Sequence, residues 1–349
     1  MELEAVTAFE RFKDLGYKTS FVGKWHLGAR PNTSGNGNRP NLQGVDYFFG
    51  ILAGSRNKIL GSFGNNAFLA ANHPAIALRE IDKELETDII VEDSYLDRGH
   101  IIHALGEKAR SELDRLSNDK FMMTFSFLVP HAGNNETDYA DAPELNIAPS
   151  SGINNRDYFQ AVFAMDQEIG MLIDKLESLG IREKTNIVFV NDNGGGASAD
   201  NSSLNDPFRG VKGEVYEGGI RVAMIMSGPS FPRNGLVSHP VSLWDITPTM
   251  IDAVGGNDFS GFDGVSLIPT ANNENIVPHD YLIQRYNGDN YAVRQGRYKA
   301  VHDSGGTNTW ELYDLSTDIS ETTDLSLTNP TKMAELISLF EDFEQDLEN

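Results

Sequence analysis

Residues 156–195 have the sequence RDYFQAVFAMDQEIGMLIDKLESLGIREKTNIVFVNDNGG, which joins a helix pattern, a strand pattern and a polar loop. Apolar side chains recur at helical spacing as far as Leu176, and Gly180 then predicts the end of a helix over 156–179. The run Asn186–Val190 is short and lacks polar alternation, which is typical of a strand buried on both faces of a sheet. Because Asn191–Gly195 follows directly, we expect a polar loop at the carboxyl end of a buried strand.

The same alternation of helix and strand extends through the first 255 residues. We predict further helices over 4–15, 100–116 and 244–254, and further strands at Thr19–Val22, Phe121–Val129 and Ile220–Met226. The polar stretches 30–75 and 134–155 are predicted as loops. Helices that alternate with buried strands indicate an α/β domain over residues 1–255, with a mostly parallel sheet sandwiched by helices.

The pattern changes after residue 256. Short strand patterns separated by turn signals are followed by a helix pattern over 331–347; the strands are Tyr281–Arg285, Tyr291–Arg294, Arg297–His302 and Trp310–Leu315. This order predicts a small C-terminal antiparallel sheet plus a helix, and therefore a second subdomain over residues 256–349.

The composition excludes several classes of protein. The chain of 349 residues has a formal net charge of −23, which disfavours binding to nucleic acid or to an anionic membrane surface. It has no apolar stretch of about 18 residues, so no membrane span is expected. The absence of cysteine excludes disulfides, zinc–thiolate sites and a cysteine nucleophile. An anionic substrate would therefore require a local group of basic residues.

Four polar segments lie close to the predicted strands; three of them offer basic residues, and the fourth offers ligands for a cation. Lys24 and His26 are two residues apart and would point the same way in an extended segment. His131 follows the strand at 121–129, and Lys212 precedes the strand at 220–226. After the strand at 186–190, Asp192 and Asn193 offer oxygen ligands for a hard cation such as calcium or magnesium. Each segment alone is also compatible with an ordinary turn or a solvated loop.

Taken together and in this order, the four segments resemble the motifs of the type I sulfatases, which belong to the alkaline phosphatase superfamily. Gly16–His26 is similar to the second sulfatase signature at each defining position, and Pro130-His131 and Asp192-Asn193-Gly194 are similar to the next motifs. The stretch from Lys212 to Val222 resembles the Lys-Gly…Glu-Gly-Gly-x-Arg-Val motif. The resemblance covers essentially the whole chain and implies an alkaline-phosphatase-like α/β fold.

The resemblance also implies roles for individual residues. Asp192 and Asn193 would be ligands of a calcium ion, with magnesium the less favoured metal. Lys24 and His26 would contact the sulfate and the hydrated nucleophile, and His131 and Lys212 would hold the oxygens of the sulfate ester. Such cations stabilise charge on the sulfuryl oxygens, and a histidine can protonate the departing alkoxide.

One part of the family pattern is missing from this sequence. The family nucleophile is a formylglycine made from the Cys or Ser of a Cys/Ser-x-Pro-x-Arg motif, which precedes the second signature. The segment Ser227-Gly228-Pro229-Ser230 lies in the wrong order and continues with Phe231 instead of arginine. The family's first acidic pair of metal ligands is absent too. We therefore expect a truncated chain that is inactive by itself.

The sequence leaves several functions open. The resemblance implies a sulfuric ester hydrolase acting on aryl sulfates or on sulfated carbohydrates. One alternative is a non-catalytic, degenerate relative that binds sulfated glycans, and another is a phosphonate or phosphate ester hydrolase of the same superfamily. The resemblance also implies a periplasmic or secreted protein. The identity of the sulfated substrate and the oligomeric state are not indicated.

Overall fold

The computed structural model describes residues 5–27, 39–52, 78–91, 101–131, 155–196, 205–287, 289–306 and 309–348. The chain divides into two compact units, an N-terminal unit of Met1–Lys184 and a C-terminal unit of Thr185–Asn349. Each unit has its own sheets and its own core, and each is described by itself.

The N-terminal unit is built on a five-stranded sheet. Its strand β1 (Lys18–Lys24) lies between two parallel neighbours, β2 (Tyr47–Ile51) and β5 (Phe121–Ser126). Strands β3 (Arg79–Asp82) and β4 (Thr87–Ile90) continue the sheet beyond β2 in antiparallel order. Because β1 and β5 are parallel neighbours, the segments that follow them leave the sheet at the same edge.

Glycines allow the parallel strands to meet at their carboxyl ends. A Cβ at Gly23 of β1 would lie 1.8 Å from the backbone oxygen of Ser126, and one at Gly50 would lie 1.8 Å from the backbone oxygen of Gly23. No side chain can be accommodated at such distances. The φ angle of Gly23, +116°, also favours glycine at this position.

Helices cover both faces of this sheet. Successive strand residues point to opposite faces, so Val22 packs with Leu105 of α2 (Ile101–Leu116) while Phe21 packs on the other face. There Phe21 contacts Phe9 of α1 (Ala8–Asp14), with the ring centroids 6.0 Å apart. Helix α3 (Asn155–Ser178) packs against α2.

The C-terminal unit contains two separate sheets. The first pairs β6 (Ile187–Val190) and β7 (Met224–Ser227) in antiparallel order. The other elements of this unit are α4 (Glu217–Ile220), α5 (Ile246–Ala253), α6 (Ile268–Asn272), β8 (Leu282–Tyr286), β9 (Asn290–Gln295), β10 (Tyr298–His302), β11 (Trp310–Asp314) and α7 (Pro330–Glu348). The second sheet is antiparallel and has the order β11-β10-β9-β8. Leu336 of α7 is fully buried against the four-stranded sheet.

The predicted fold class is confirmed. The N-terminal unit has a mostly parallel arrangement of β1, β2 and β5 with helices on both faces, and a small antiparallel sheet with a helix closes the chain. None of the described helices is long and apolar enough to cross a membrane. The predicted domain boundary between residues 255 and 256 stays a prediction.

Some of the element predictions are wrong. Part of the predicted loop at 30–75 forms strand β2, and part of the predicted strand at Ile220–Met226 forms helix α4, so that β7 begins only at Met224. Strands β5 and β6 are half-buried rather than buried on both faces, because each lies at the edge of its sheet. The predicted loop at 134–155 lies almost wholly outside the described residues.

Candidate functional site

The loop that carries Asp192 and Asn193 follows β6 directly. The side chain of Asp192 is exposed, and its Oδ1 accepts a hydrogen bond only from the adjacent Asn193 amide within the described residues, at 3.0 Å. Asn193 Nδ2 donates to the Gly194 carbonyl at 2.8 Å, which leaves the amide oxygen of Asn193 as a possible ligand. Two neighbouring side chains therefore present hard oxygen donors, which calcium and magnesium prefer.

The loop that carries Lys212 is attached to the Asp192–Asn193 loop through the backbone. Lys212 N donates to the Gly195 carbonyl at 2.7 Å. Asn205 connects the same two loops, because its Oδ1 accepts from Gly195 N at 2.9 Å and its Nδ2 donates to the Gly210 carbonyl at 3.0 Å. The side chain of Lys212 is exposed, and its amine forms no ion pair within the described part of the chain.

Both loops pack on Gly218 and Gly219 of α4. Gly194 N donates to the Gly219 carbonyl at 3.0 Å, and a Cβ at Gly194 would lie 1.8 Å from the Gly218 carbonyl oxygen. A Cβ at Gly218 would lie 2.2 Å from the Gly210 carbonyl oxygen, and one at Gly219 would lie 2.1 Å from that of Glu214. The two loops can therefore approach α4 only because these three residues are glycines.

Glu217, the first residue of α4, is buried in a network of charges. Its Oε1 lies 3.0 Å from Lys299 Nζ, and its Oε2 lies 3.3 Å from Arg221 and 3.5 Å from Arg294. Burial alone would raise the pKa of the Glu217 carboxyl, but Lys299, Arg294 and Arg221 outweigh burial and hold the pKa below its usual value. Glu217 is therefore a buried carboxylate that stays ionised.

Lys299 is fully buried between Glu217 and a second carboxylate, Glu321. The amine of Lys299 lies 2.8 Å from Glu321 Oε1, and Glu321 Oε2 accepts the backbone N–H of Glu217 at 2.7 Å. Burial raises the pKa of the Glu321 carboxyl, and the charge of Lys299 offsets only part of this rise. The two acids thus share one cation in a site closed to solvent.

In the N-terminal unit, the predicted site residues lie at one edge of the sheet. Lys24 is the last residue of β1, and His131 follows the end of β5. His26 is exposed and has a φ angle of 52°, which is not an extended conformation. The strand thus ends at Lys24, so the prediction that Lys24 and His26 lie two apart in one extended segment is wrong.

The structure brings the loop that carries Asp192 and Asn193 into contact with the loop that carries Lys212. Sequence reasoning missed Asn205, which bonds to both loops, and it missed that Lys299 and Glu321 are buried against Glu217 of the Glu-Gly-Gly motif. One signal was available, because Lys299 interrupts the apolar run of a predicted strand and a buried lysine requires a partner. The described residues contain no group of three or more His, Cys, Asp or Glu side chains placed to hold a metal ion.

Comparison with known families gives two matches. The model of the Sulfatase family matches residues 7–256, and the model named N-sulphoglucosamine sulphohydrolase, C-terminal, matches residues 211–348. Together these matches extend over nearly the whole chain, and they include each of the four polar segments.

Individual proteins are similar to the chain in sequence and in structure. N-acetylgalactosamine-6-sulfatase of Rattus norvegicus is 30% identical over 319 residues, which are 88% of this chain and 56% of that protein. The chain thus spans little more than half the length of this relative. The crystal structure of Ps i-CgsB in complex with k-i-k-neocarrahexaose is 25% identical with a TM-score of 0.80, and the match covers 98% of this chain and 74% of that one. The structure of BT4656 in complex with D-glucosamine-2-N,6-O-disulfate is 18% identical with a TM-score of 0.68, covering 99% and 83%, and shows the same fold.

Proposed function

This chain belongs to the sulfatase family, and from that premise we propose that it serves the hydrolysis of sulfate esters on carbohydrates. The names of its relatives support a sugar rather than a simple aryl sulfate as the substrate, since N-acetylgalactosamine-6-sulfatases recur among them. The observation that carries the proposal is the backbone attachment of the Lys212 loop to the Asp192–Asn193 loop, with Lys212 N 2.7 Å from the Gly195 carbonyl.

The proposed chemistry follows from the side chains of these loops. A sulfate ester carries negative charge on its non-bridging oxygens, and the exposed amine of Lys212 can stabilise that charge. Lys24, His26 and His131 stay predictions as further contacts of the sulfate group. The anionic character of the whole chain, −23, makes such local cations necessary for binding an anion.

We propose calcium as the metal of this site. The carboxylate of Asp192 and the amide oxygen of Asn193 are donors of the kind that calcium binds, and they are adjacent and accessible. They would supply two of the six to eight oxygens that calcium usually takes, and magnesium fits less well because it demands a near-ideal octahedron. A bound calcium ion would add positive charge beside the sulfate oxygens.

The 349 residues contain no cysteine and no serine within a Cys/Ser-x-Pro-x-Arg motif. The covalent nucleophile implied by the family resemblance therefore has no counterpart in this sequence. We propose that the residues of this chain bind the sulfated sugar, and that hydrolysis requires a nucleophile that these 349 residues do not supply. Binding, rather than turnover, is accordingly the property to measure.

Isothermal titration of the chain with N-acetylgalactosamine 6-sulfate in the presence of Ca²⁺ tests the proposal. Lys212→Ala removes the amine, so the affinity is expected to fall about tenfold, which corresponds to about 1.4 kcal/mol. Lys184→Ala is the matched control, because Lys184 is also an exposed lysine but lies outside the candidate loops. Equal affinities of the wild type and Lys212→Ala would refute the proposal. Tighter binding of the corresponding sugar phosphate would instead favour a phosphate ester hydrolase.

A further inference from the structure

The buried charges around Glu217 join two parts of the C-terminal unit that are distant in sequence. Glu217 lies in α4, whereas Lys299 lies in β10 of the four-stranded sheet and Glu321 follows β11. Lys299 and Glu321 have no exposed surface, and the distances from the lysine amine to the two carboxylates are 3.0 and 2.8 Å. We refer to Glu217, Lys299 and Glu321 as the buried triad.

The buried triad fixes the backbone of α4 as well as its first side chain. Glu321 Oε2 accepts the N–H of Glu217 at 2.7 Å, and Lys299 holds the Glu217 carboxylate. Arg209, at the start of the Lys212 loop, also donates to the Glu321 carbonyl at 3.0 Å. The triad therefore restrains both α4 and the beginning of the loop that packs on it.

The next two residues of α4 are the glycines on which the candidate loops pack. Gly218 N donates to the Arg209 carbonyl at 2.6 Å, and the Gly219 carbonyl accepts from Gly194 N at 3.0 Å. Asp192 and Lys212 lie in the loops held by these two bonds. A shift of α4 would therefore move both candidate ligand groups, although no member of the triad belongs to either loop.

The burial of these charges is costly unless each of them is paired. A buried ion pair often contributes little net stability, because desolvation of the charges offsets their attraction. Stability alone therefore does not explain the triad, since an apolar cluster of the same volume would stabilise the fold at least as much. Charge-assisted hydrogen bonds do, however, fix the distance and the relative orientation of the groups that they join, which apolar contacts do not.

We propose that Glu217, Lys299 and Glu321 are positioning residues, which hold α4 so that its Gly218–Gly219 backbone places Asp192 and Lys212 for ligand binding. This inference rests on the proposed function, because it assigns the triad to the same site. Because Lys299 lies in β10, the four-stranded sheet would then help to determine the geometry of the candidate site.

The test compares wild type with Lys299→Met at a temperature well below unfolding. Methionine has a similar length and no charge, and Glu321, whose environment favours its neutral form, can take up a proton instead. We expect the affinity for N-acetylgalactosamine 6-sulfate, titrated with Ca²⁺ present, to fall at least fivefold. The amides of Gly194, Lys212 and Gly218 should exchange hydrogen faster, whereas those of the β9–β10 ladder should not.

Asp245→Asn is the matched control for a loss of stability alone. Asp245 is fully buried in the same unit, and within the described residues its carboxylate bonds to Ser242, Val265 and His279, none of which lies in the two loops or in α4. This variant should lower the melting temperature while the affinity and the exchange of the three loop amides stay unchanged. If Lys299→Met behaves in the same way, the triad is structural and the inference is overturned.

Two further comparisons keep the outcome unambiguous. Glu217→Gln keeps the shape of the side chain and removes its charge. If Lys299→Met does not fold, Glu217→Gln replaces it in the test, with the same expected loss of affinity and the same faster exchange of the loop amides. Lys212→Ala reports on the proposed function separately. If Lys212→Ala binds like wild type, the proposed function fails, while the exchange of the loop amides in the triad variants still decides whether the triad holds the loops. If Lys212→Ala binds weakly and both triad variants bind like wild type, only the inference fails.

Discussion

At the scale of single residues, Gly194 has the most stringent environment in the candidate site. It lies between the side chains proposed to bind calcium and the α4 backbone, and its own N–H donates to Gly219. A side chain here would have to displace either the loop or α4, because the nearest atom is a backbone oxygen and not the end of a flexible side chain. The positions of Asp192 and Asn193 therefore depend on the absence of a side chain at residue 194.

Gly194→Ala is expected to weaken binding of N-acetylgalactosamine 6-sulfate and Ca²⁺ by at least about tenfold, equivalent to about 1.4 kcal/mol. The added Cβ would lie 1.8 Å from the Gly218 carbonyl oxygen, so the loop must move away from α4. Isothermal titration measures the change, and circular dichroism at the same temperature verifies that the variant is folded.

Gly196→Ala is the matched control for this prediction. Gly196 lies two residues further along the same loop, its φ is outside the left-handed region, and a Cβ there would have no neighbour within 4 Å among the described residues. It should bind both ligands as tightly as wild type. Equal loss in the two variants would mean that loop flexibility, rather than the contact with α4, determines binding.

At the scale of elements, helices α2 and α3 pack through a glycine and a buried acid. Gly106 of α2 faces Glu168 of α3, and that carboxylate pairs with Arg110 and with His103, the latter at 2.8 Å. A Cβ at Gly106 would lie 1.7 Å from Glu168 Oε2. Gly170, by contrast, is exposed on α3, and a Cβ there would have no neighbour within 4 Å in the part of the chain that the structure describes.

We predict opposite effects of alanine at these two glycines. Gly170→Ala should raise the free energy of unfolding by about 0.5–1 kcal/mol, because alanine favours a helix interior over glycine by that amount. Gly106→Ala should lower it by about 1–3 kcal/mol, as expected for overpacking beside a buried ion pair. Urea unfolding followed by circular dichroism measures both, and a destabilised Gly170→Ala would contradict the exposed position of residue 170 in α3.

The long helices could be predicted from the sequence, whereas several strands could not. The apolar stripes that predict α2 and α3 are local, and their bounds differ from the predicted ones by no more than one residue. Strand β2 was missed because its five residues lie in a stretch rich in Asn, Gly and Pro, and its burial comes from pairing with β1 and β3. Helix α4 was not predicted, and the strand predicted from Ile220 begins only at Met224, because α4 has four residues, too few for a helical pattern in the sequence.

At the scale of the whole molecule, the candidate site depends on contacts between distant positions. The order of their motifs predicts Asp192, Asn193 and Lys212 as candidate site residues, and their loops lie in contact, while their roles stay predictions. The residues that hold their loops could not be predicted, since Glu217 meets Lys299 and Glu321 across 82 and 104 positions of sequence. Such pairs follow only from the packing of α4 near the four-stranded sheet of the C-terminal unit.

The triad also determines how stability depends on pH, with two contributions of opposite sign. The pKa of Glu217 lies below the usual 4.5, so its contribution is present above pH 4.5 and is lost as the pH falls through the lower folded value. The pKa of Glu321 is raised above 4.5, so its contribution is present below pH 4.5 and is lost as the pH rises through the folded value. The two carboxylates therefore act in different pH ranges.

Glu217→Gln and Glu321→Gln should accordingly shift stability in opposite directions as the pH changes. Relative to wild type, the free energy of unfolding of Glu217→Gln should decrease as the pH rises towards 4.5, because the variant lacks a group that stabilises the fold when ionised. The free energy of unfolding of Glu321→Gln should increase relative to wild type as the pH rises above 4.5, because the variant lacks a group that opposes folding when ionised. Urea unfolding at each pH measures both differences. The net charge of the chain changes with pH, but at any one pH it is nearly the same in all three proteins, so its effect cancels when each variant is compared with wild type. If the free energies of unfolding of the two variants changed with pH in the same way, Lys299 would not distinguish the two acids. The conclusion that Glu217 is ionised, on which the positioning of α4 depends, would then be wrong.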